Sequence, residues 1–371
     1  MVTVLFILFI AVVCVQAIYY LGIFSNFAFS KKKSNTYNTT ETIPVSVLVC
    51  AKNEADNLRQ NLPKLLAQRY PNFQLVLIND ASYDETLDVM EEFAAMHDNI
   101  KIVNVENNEA FWGKKKYALV LGIKAAKYNH MLFIDADCYP SSEFWIKEMA
   151  SNFNKEKTIV LGYGGYKKIK NSLANALTRF ETVFAAMQYF SFAKIGMPYM
   201  GVGRNLAYHK NEFNKTSGFI SHMHIRSGDD DLFVNEAATA KNTSICFNEE
   251  AFTYSTSKKS LKAWFTQKRR HVSTASHYKK SHQVILGLFY ISQFFFWLLA
   301  ILLLSFQHQL IITGALIGFR MLMQYFVFGF TASKLKETKL LWLLPFYEIF
   351  LIILQFCIFI VNFTSKPVDW K

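Results

Sequence analysis

The sequence predicts an α/β protein in which a doubly wound, mostly parallel β-sheet is attached to a membrane by apolar helices at both ends. Two observations support this prediction. Short β-rich runs alternate with helical patterns within a stretch of ordinary soluble composition of about 250 residues, which is enough for one well-buried domain. Apolar runs flank that region, and each is close to the roughly 20 residues that cross a bilayer core. These runs are residues 2–24, 284–304, 310–330 and 340–361.

The first apolar run predicts a retained anchor rather than a cleaved signal peptide. A signal peptide has positive charge before its apolar run, whereas here no Lys or Arg precedes the run and three lysines follow it at residues 31–33. The positive-inside rule then places the next domain in the cytoplasm. We therefore expect an anchor over residues 1–30, a cytoplasmic domain with interfacial helices over 31–283, and three transmembrane helices over 284–371.

The net charge of +12 does not indicate a nucleic-acid-binding protein, because the sequence has no zinc-finger spacing and no basic stripe interleaved with aromatic residues. Anionic lipid headgroups and an anionic substrate are simpler partners for the basic residues. The cysteines form no CxxC pair, and disulfides are not expected in a reducing compartment. They are Cys14, Cys50, Cys138, Cys246 and Cys357.

Within the domain, four runs have the length and composition of strands. They are residues 45–50, 74–79, 100–105 and 131–135. Two amphipathic helices are expected between them, and Asp84 is a suitable N-cap for the second. Their apolar stripes are Leu58, Leu62, Leu65 and Leu66, then Leu87, Met90, Phe93 and Ala94. This order predicts parallel strands, whose ligands bind beyond the carboxyl ends of the strands.

Polar motifs follow the predicted strands at those ends. Ala51-Lys52-Asn53-Glu54 follows the first strand and Asn79-Asp80-Ala81-Ser82 follows the second. Each motif alone is typical of an ordinary turn and helix cap, so its interest lies in its position. Gly113-Lys114-Lys115-Lys116 opens the next helix, which is expected to reach about Tyr128. Cations there oppose the helix dipole, so a bound diphosphate is one interpretation and a solvated basic turn is the other.

Asp135-Ala136-Asp137 ends the fourth predicted strand. Alternate residues of an extended chain point the same way, so the two carboxylates should converge. Two negative charges that close require a cation or a raised pKa. Hard oxygen ligands suit Mg²⁺ or Mn²⁺ bridging a substrate diphosphate, although an isolated motif of this kind often caps a helix.

Two further motifs lie near the end of the domain. Gly228-Asp229-Asp230-Asp231-Leu232 could be a solvated loop or a calcium site, but the apolar residues that follow count against a simple solvated loop. A carboxylate near other carboxylates keeps a higher proton affinity and can act as a general base. Gln267-Lys268-Arg269-Arg270-His271 predicts an interfacial amphipathic helix with a second face toward the site.

In this order and spacing, the motifs resemble the inverting family 2 glycosyltransferases with the GT-A (nucleotide-diphospho-sugar transferase) fold. The resemblance extends from Val45 to His271 and is strongest to the membrane synthases of hyaluronan, chitin oligosaccharides and cellulose. It implies a nucleotide-base loop at Asp80, a metal site at Asp135 and Asp137, and a catalytic base at Asp230. Residues 201–207 resemble the acceptor-side loop of the family, and residues 267–271 are similar to its QxxRW motif.

The resemblance implies transfer of a hexosyl or N-acetylhexosaminyl group, with inversion, from a nucleotide-sugar (UDP-linked) to a hydroxyl of a lipid or glycan acceptor. It also implies Mg²⁺ or Mn²⁺ as cofactor and a place in a bacterial inner (plasma) membrane, in the synthesis of cell envelope polysaccharide. The expected substrate-binding residues are Asn53, Glu54, Asp80, Lys114, Lys115, Asp135, Gly203, Arg204, Asp229, Gln267 and Arg270.

Two departures from the family pattern affect this interpretation. Ala81 replaces the usual glycine of the Asp-Asp-Gly-Ser turn, and His271 replaces the tryptophan on which processive synthases stack an acceptor sugar. The second departure counts against polymer synthesis, so a processive polysaccharide synthase is the alternative within the enzyme class.

Charged residues inside the apolar runs raise an alternative from another class, a membrane transporter or receptor with a nucleotide-binding domain. Arg320 and Glu348 lie inside the third and fourth runs. The rise per residue places each about 12–15 Å into its run from opposite sides. We expect a structural ion pair between them near the middle of the membrane.

Overall fold

The fold is described from a computed structural model that covers residues 1–31, 42–106, 114–225, 227–258 and 260–365. Lys32, Lys33 and Gly113, which the sequence analysis names, lie outside these ranges, as does the side chain of Lys114. The strands are β1 (Val45–Ala51), β2 (Phe73–Asp80), β3 (Ile100–Val105), β4 (His130–Phe133), β5 (Cys138–Pro140), β6 (Ile159–Leu161), β7 (Gly164–Tyr166), β8 (Leu206–His209), β9 (Thr243–Ile245) and β10 (Thr253–Ser255).

The helices flank this strand region at both ends and alternate with its first strands. They are α1 (Val2–Ala28), α2 (Ala55–Leu66), α3 (Thr86–Met96), α4 (Lys114–Ala125), α5 (Trp145–Ala150), α6 (Leu173–Lys194), α7 (Lys210–Lys215), α8 (Asp231–Ala237), α9 (Leu261–Ser273), α10 (Lys280–Ser305), α11 (Leu310–Lys334) and α12 (Leu344–Thr364). Within α1, residues Ile18–Phe24 form a π-helical stretch.

The main sheet has seven strands in the order β3-β2-β1-β4-β8-β6-β9, and β5, β10 and β7 form a second, small sheet. The first four strands of the order pair in parallel, and β8 is antiparallel to both of its neighbours. The predicted α/β class with a mostly parallel sheet is therefore confirmed. The carboxyl ends of β1, β2 and β4 lie at one edge, where the polar motifs follow them.

Three local predictions need correction. β4 ends at Phe133, so Asp135 follows the strand instead of closing it; the chain turns there, and Cys138 N donates to Asp135 O at 2.9 Å. Asp84 accepts from Thr86 N at 3.1 Å, yet the N-cap position of α3 is Glu85. Helix α4 ends at Ala125 rather than near Tyr128.

The sheet separates two apolar cores. On one face, β1 side chains such as Val47 pack with Leu58 and Leu62 of α2. On the other face, Ile78 packs with Ile123 of α4, and this core continues into the membrane helices. Helix α6 makes that connection, because its buried aromatic side chains stack on membrane-helix residues. The ring pairs are Phe184–Phe289, Phe180–Phe328 and Phe180–Tyr347.

Among the residues that the structure describes, four helices are long and apolar enough to cross a membrane: Val2–Ala28, Lys280–Ser305, Leu310–Lys334 and Thr338–Thr364. They match the four apolar runs of the sequence. The expected pair is also present, since Arg320 Nη1 donates to Glu348 Oε2 at 2.8 Å and a second contact joins Nη2 to Oε1. Both side chains are almost fully buried.

Polar side chains from three of the membrane helices surround this pair. Gln16 of α1 accepts from Arg320 Nη2 at 2.9 Å, and Gln324 of α11 accepts from Nη1 at 2.5 Å. Gln293 of α10 donates to Glu348 at 2.9 Å. Because a buried charge is costly without partners, this network should fix the relative positions of all four helices.

We expect Arg320→Leu to destabilise the protein by about 3–5 kcal/mol, because Glu348 would remain buried without its cation. The double variant Arg320→Leu/Glu348→Leu should lose clearly less than the sum of the two single losses. The measurement is the free energy of unfolding in detergent micelles, followed by tryptophan fluorescence. Additive losses would show that the two residues do not form an energetic pair.

Candidate active site

One cavity of about 1950 Å³ begins at the carboxyl ends of β1 and β4 and reaches the membrane helices. Most of the predicted site residues line it: Asn53, Glu54, Lys115, Asp135, Asp137, Gly203, Arg204, Asp229, Asp230, Gln267 and Arg270. Asp80 is not among the lining residues that the structure describes; it is buried at the end of β2. The predicted residues therefore come together from motifs that are far apart in the sequence.

The loops after β1 and β2 are joined by hydrogen bonds. Asn53 N donates to Ser82 Oγ at 3.0 Å, and Tyr83 N donates back to Asn53 Oδ1 at 2.8 Å. Asn53 and Ala81 both have left-handed backbone conformations, with φ of 55° and 48°. Asparagine tolerates that region better than alanine, so the left-handed conformation of Ala81 has an energetic cost. These contacts make a defined rim for the cavity.

Asp135 and Asp137 converge as predicted, but a turn brings them together rather than an extended strand. Their carboxylate oxygens and the Cys138 sulfur all lie within 4.8 Å of one another. Burial and the neighbouring Asp135 raise the pKa of Asp137. Burial also raises the pKa of the Cys138 thiol, which donates to Asp137 Oδ1 at 3.3 Å. A protonated thiol leaves two oxygen ligands facing the cavity, a set that fits a hard divalent cation.

Lys115 bridges the two acidic motifs. Its Nζ lies 3.1 Å from Asp135 Oδ1 and 3.0 Å from Asp229 Oδ2. Burial acts to lower the pKa of Lys115, but the two carboxylates outweigh it and hold that pKa well above its usual range. The interpretation of the lysine run as a solvated turn is therefore wrong for this residue. Much of its charge is offset by protein carboxylates.

Lys116 is also buried and holds a neighbouring loop. Its Nζ donates to the carbonyl oxygens of His222 and Ile225 at 2.6 and 3.0 Å and lies 2.8 Å from His222 Nδ1. Burial lowers the pKa of Lys116 to about 8. This loop leads into the Asp229–Asp231 segment, so Lys116 contributes to the position of the acidic motif.

Asp230 lies at the N-cap of α8, and backbone amides fix both of its oxygens. Oδ1 accepts from Asp231 N at 2.8 Å, and Oδ2 accepts from Gly203 N at 2.6 Å. A Cβ at Gly203 would come within 3.2 Å of Oδ2, which explains a glycine here. Burial, then the charges of Asp229 and Asp231, raise the pKa of Asp230 to about 7. Such a carboxylate can take up a proton near neutral pH.

Asp231 is not placed to take up a proton in this way. Its hydrogen bonds hold the end of the domain. Its Oδ2 accepts from Tyr278 Oη at 2.7 Å and from the Thr274 hydroxyl. Both donors lie between α9 and α10, so the acidic motif is connected to the start of the membrane helices. No spacing pattern in the sequence indicates these partners.

Helix α9 places its polar face toward the cavity. Burial lowers the pKa of Arg270, while the charges of Asp229 and Asp135 oppose that shift, which places its guanidinium within electrostatic range of the acidic rim. Lys268 is paired with Glu181 of α6 at 2.5 Å. The predicted interfacial helix with one face toward the site is consistent with these contacts.

Arg204 is packed against the small sheet. Its guanidinium carbon lies 4.4 Å from the ring centroid of Tyr166. A Cβ at Gly164 would come within 2.6 Å of the Arg204 side chain, so the glycine leaves room for it. Sequence reasoning missed Tyr166, Glu181 and Lys258 as lining residues. Only the positions of β7, α6 and the segment before α9 in the fold would have indicated these residues.

A mostly parallel sheet, with converging carboxylates and cations around one cavity at its edge, is the architecture of a GT-A-like transferase. Residues 46–227 match the model of the family "Glycosyl transferase family 2". The mannosyltransferase PcManGT from Pyrobaculum calidifontis, solved with GDP-Man and Mn²⁺, has the same fold. It aligns with a TM-score of 0.59 and 15% identity over 94% of this chain and 99% of its own.

Characterised relatives match shorter segments. A poly-β-1,6-N-acetyl-D-glucosamine synthase of Staphylococcus epidermidis is 36% identical over 93 residues, 25% of this chain and 21% of its own length. Glycosyltransferase AglE of Haloferax volcanii is 25% identical over 177 residues, 47% of this chain and 53% of its own. The chain thus matches about a fifth to a half of the length of these relatives.

We expect Lys115→Met to destabilise the protein by about 3–5 kcal/mol, because Asp135 and Asp229 would face each other without the intervening cation. Lys101→Met, on the exposed edge of β3, is the matched control and should change stability by no more than about 0.5 kcal/mol. Unfolding in detergent with a chelator present measures both variants. Equal stabilities would mean that Lys115 does not hold the rim together.

Proposed function

We propose that the protein transfers a hexosyl or N-acetylhexosaminyl group from a nucleotide-sugar, UDP-linked, to an acceptor hydroxyl, with inversion at the anomeric carbon. The observation that carries the proposal is the shared cavity of Asp137 and Asp230, which approach it from distant parts of the chain. The match to the family 2 model supports the reaction class. The acceptor is a lipid or a glycan at the membrane.

Asp135 and Asp137 are the residues that would hold the divalent cation, Mg²⁺ or Mn²⁺. When bound, such an ion neutralises charge on the diphosphate that leaves. The Pyrobaculum mannosyltransferase, which has the same fold, forms a complex with Mn²⁺ and GDP-Man, and this supports the assignment. On the protein side, Arg270 and Gln267 face the same rim from α9 and would stabilise the leaving diphosphate by charge and hydrogen bonding.

Asp230 is the proposed general base. Its carboxylate takes the proton of the acceptor hydroxyl as the hydroxyl oxygen forms a bond to the anomeric carbon. The bond from that carbon to the diphosphate oxygen breaks, and the diphosphate leaves with the electron pair. A single displacement of this kind inverts the configuration. The two backbone donors from Gly203 and Asp231 keep the carboxylate in place for the proton transfer.

The catalytic domain is proposed to lie on the cytoplasmic side of a bacterial inner membrane. Lys334 at the end of α11 donates to Ser30 O at the end of α1 at 2.6 Å, so these two ends lie on one side. The positive-inside rule supports the cytoplasm for that side. A transporter is less consistent with the contacts, because Arg320 and Glu348 bond to each other and do not line the cavity.

A processive polysaccharide synthase remains the second candidate, and the relatedness to poly-β-1,6-N-acetyl-D-glucosamine synthases favours it. The size distribution of the product separates the two. A single transfer gives one product, whereas a processive synthase gives a ladder.

The test is nucleotide release by the purified full chain with a panel of UDP- and GDP-sugars and a membrane extract as acceptor source, with Mn²⁺ or with a chelator. We expect release with at least one donor, and only with the metal. Asp230→Asn should lower turnover about 10²–10⁴-fold and leave donor binding intact. Asp98→Asn, on an exposed turn, is the control and should retain full turnover.

The pH profile provides a second readout of the same assignment. Asp230 must be deprotonated to act as a base, and its raised pKa is about 7. The kcat/KM of the wild-type protein should therefore rise with pH through about 7 and level off above it. Near-normal turnover of Asp230→Asn would refute the role of this residue.

A further inference from the structure

We propose that the acceptor is a membrane lipid with a hydroxyl-bearing headgroup, which reaches Asp230 through a groove between α10 and α12. The inference rests on the proposed transfer function and adds its substrate class and entry route. The lipid hydroxyl is the nucleophile, its proton goes to Asp230, and the nucleoside diphosphate leaves.

The cavity continues without interruption from the acidic rim to these two helices. On α12 the lining residues recur every three or four positions, which places them on one face. They include Leu351, Gln355, Phe359 and Phe363, whereas the α10 lining residues include Leu286 and the consecutive residues 289–291 and 293–295. One wall of the groove is therefore a stripe of α12, and the other is a broader surface of α10.

The groove is open toward the bilayer. Several side chains that line it are also largely exposed on the outer surface, including Ile291 at 51%, Phe359 at 60% and Phe363 at 78%. Most of the lining there is apolar, which suits acyl or isoprenoid chains. A sugar polymer would need hydrogen-bond partners along such a path, because burying hydroxyls without them is costly. The chemistry favours a lipid tail over a polysaccharide.

The groove lies on the side of the membrane that faces the catalytic domain, so a lipid headgroup in it can reach Asp230. Arg269 of α9 donates to Asn362 Oδ1 at 3.1 Å and to Ser365 O at 3.0 Å, at the end of α12. Near the start of α12, the Phe350 ring stacks with Trp264 of the same helix α9, with centroids 6.3 Å apart. Since α9 carries Arg270 to the acidic rim, the groove lies on the catalytic side of the membrane, where headgroups lie.

Gly287 offers a direct test, because a Cβ there would meet nothing within 4 Å and the residue lines the cavity. Gly287→Trp should fill the groove without disturbing the fold. Gly314→Trp is the matched control, since Gly314 is equally open but lies on α11 away from the cavity. Ile291→Trp, with Ile311→Trp as its control, repeats the test if the first variant does not fold.

The full chain is reconstituted in vesicles of bacterial total polar lipid and given the donor panel with the sugar radiolabelled. We expect label in the organic phase, at least tenfold less with Gly287→Trp and a change within twofold with Gly314→Trp. Label in a water-soluble polymer, or equal transfer by both variants, would overturn the lipid acceptor. No nucleotide release with any donor would overturn the transfer function itself, and this inference with it.

The contacts of α12 carry a second inference independently of the acceptor. We infer that α12 lies within the leaflet next to the catalytic domain instead of crossing the bilayer. A helix of 21 residues is about 30 Å long, as thick as the bilayer core. A perpendicular α12 would carry Asn362 to the far surface, yet Arg269 of the catalytic domain holds it.

The test is the location of the C-terminus in intact cells. Green fluorescent protein fused after Lys371 of the full chain should fluoresce, and alkaline phosphatase fused there should be inactive, because both report a cytoplasmic end. Four complete crossings would give the reverse pair of results, which would overturn this inference and leave the lipid acceptor to be judged by its own experiment.

Discussion

The acidic rim depends on one buried ammonium group. Lys115 extends from the first turn of α4 and contacts Asp135 and Asp229, which belong to motifs far apart in the chain. Neither burial nor the helix dipole favours a cation at this position, so the two carboxylates are what stabilise it. In turn, the cation allows the carboxylates to approach each other. Asp137 and Asp230 are close in sequence to these two contacts, and both line the same cavity.

The apolar core below the sheet determines how that rim faces the membrane. Helix α4 packs so closely on β2 that a Cβ at Gly122 would overlap the Ile78 side chain, and this contact positions the helix that carries Lys115. The same core continues through α6 to the membrane helices, and the buried pair of Arg179 with Glu337 joins α6 to the segment after α11. The domain is therefore attached by packing and charge, and one cavity can contact both water and lipid.

The sequence was sufficient for the features that depend on local patterns. Strand periodicity located β1, β2 and β3, apolar run length located the membrane helices, and the spacing of Asp135 and Asp137 indicated that their carboxylates converge. Long-range contacts left no such pattern. Nothing near Lys115 in the sequence specifies Asp229 as a partner, and nothing near Asp231 specifies Tyr278. The turn at Asp135 was missed because an apolar run does not show where the ladder of hydrogen bonds stops.

The inferred position of α12 could not be predicted for the same reason, because length and composition describe what a helix can cross and not what it packs against. His271 stands where the resembled synthases have a stacking tryptophan. His271 is exposed to the open cavity, and desolvation there, with the cations Lys268 and Arg270, lowers its pKa well below the usual range, so the ring is neutral. A neutral imidazole provides less stacking surface for a sugar chain than an indole does. Together with the apolar groove that leads toward the bilayer, this exchange supports the proposal that the site accepts one headgroup at a time and does not retain a growing polymer.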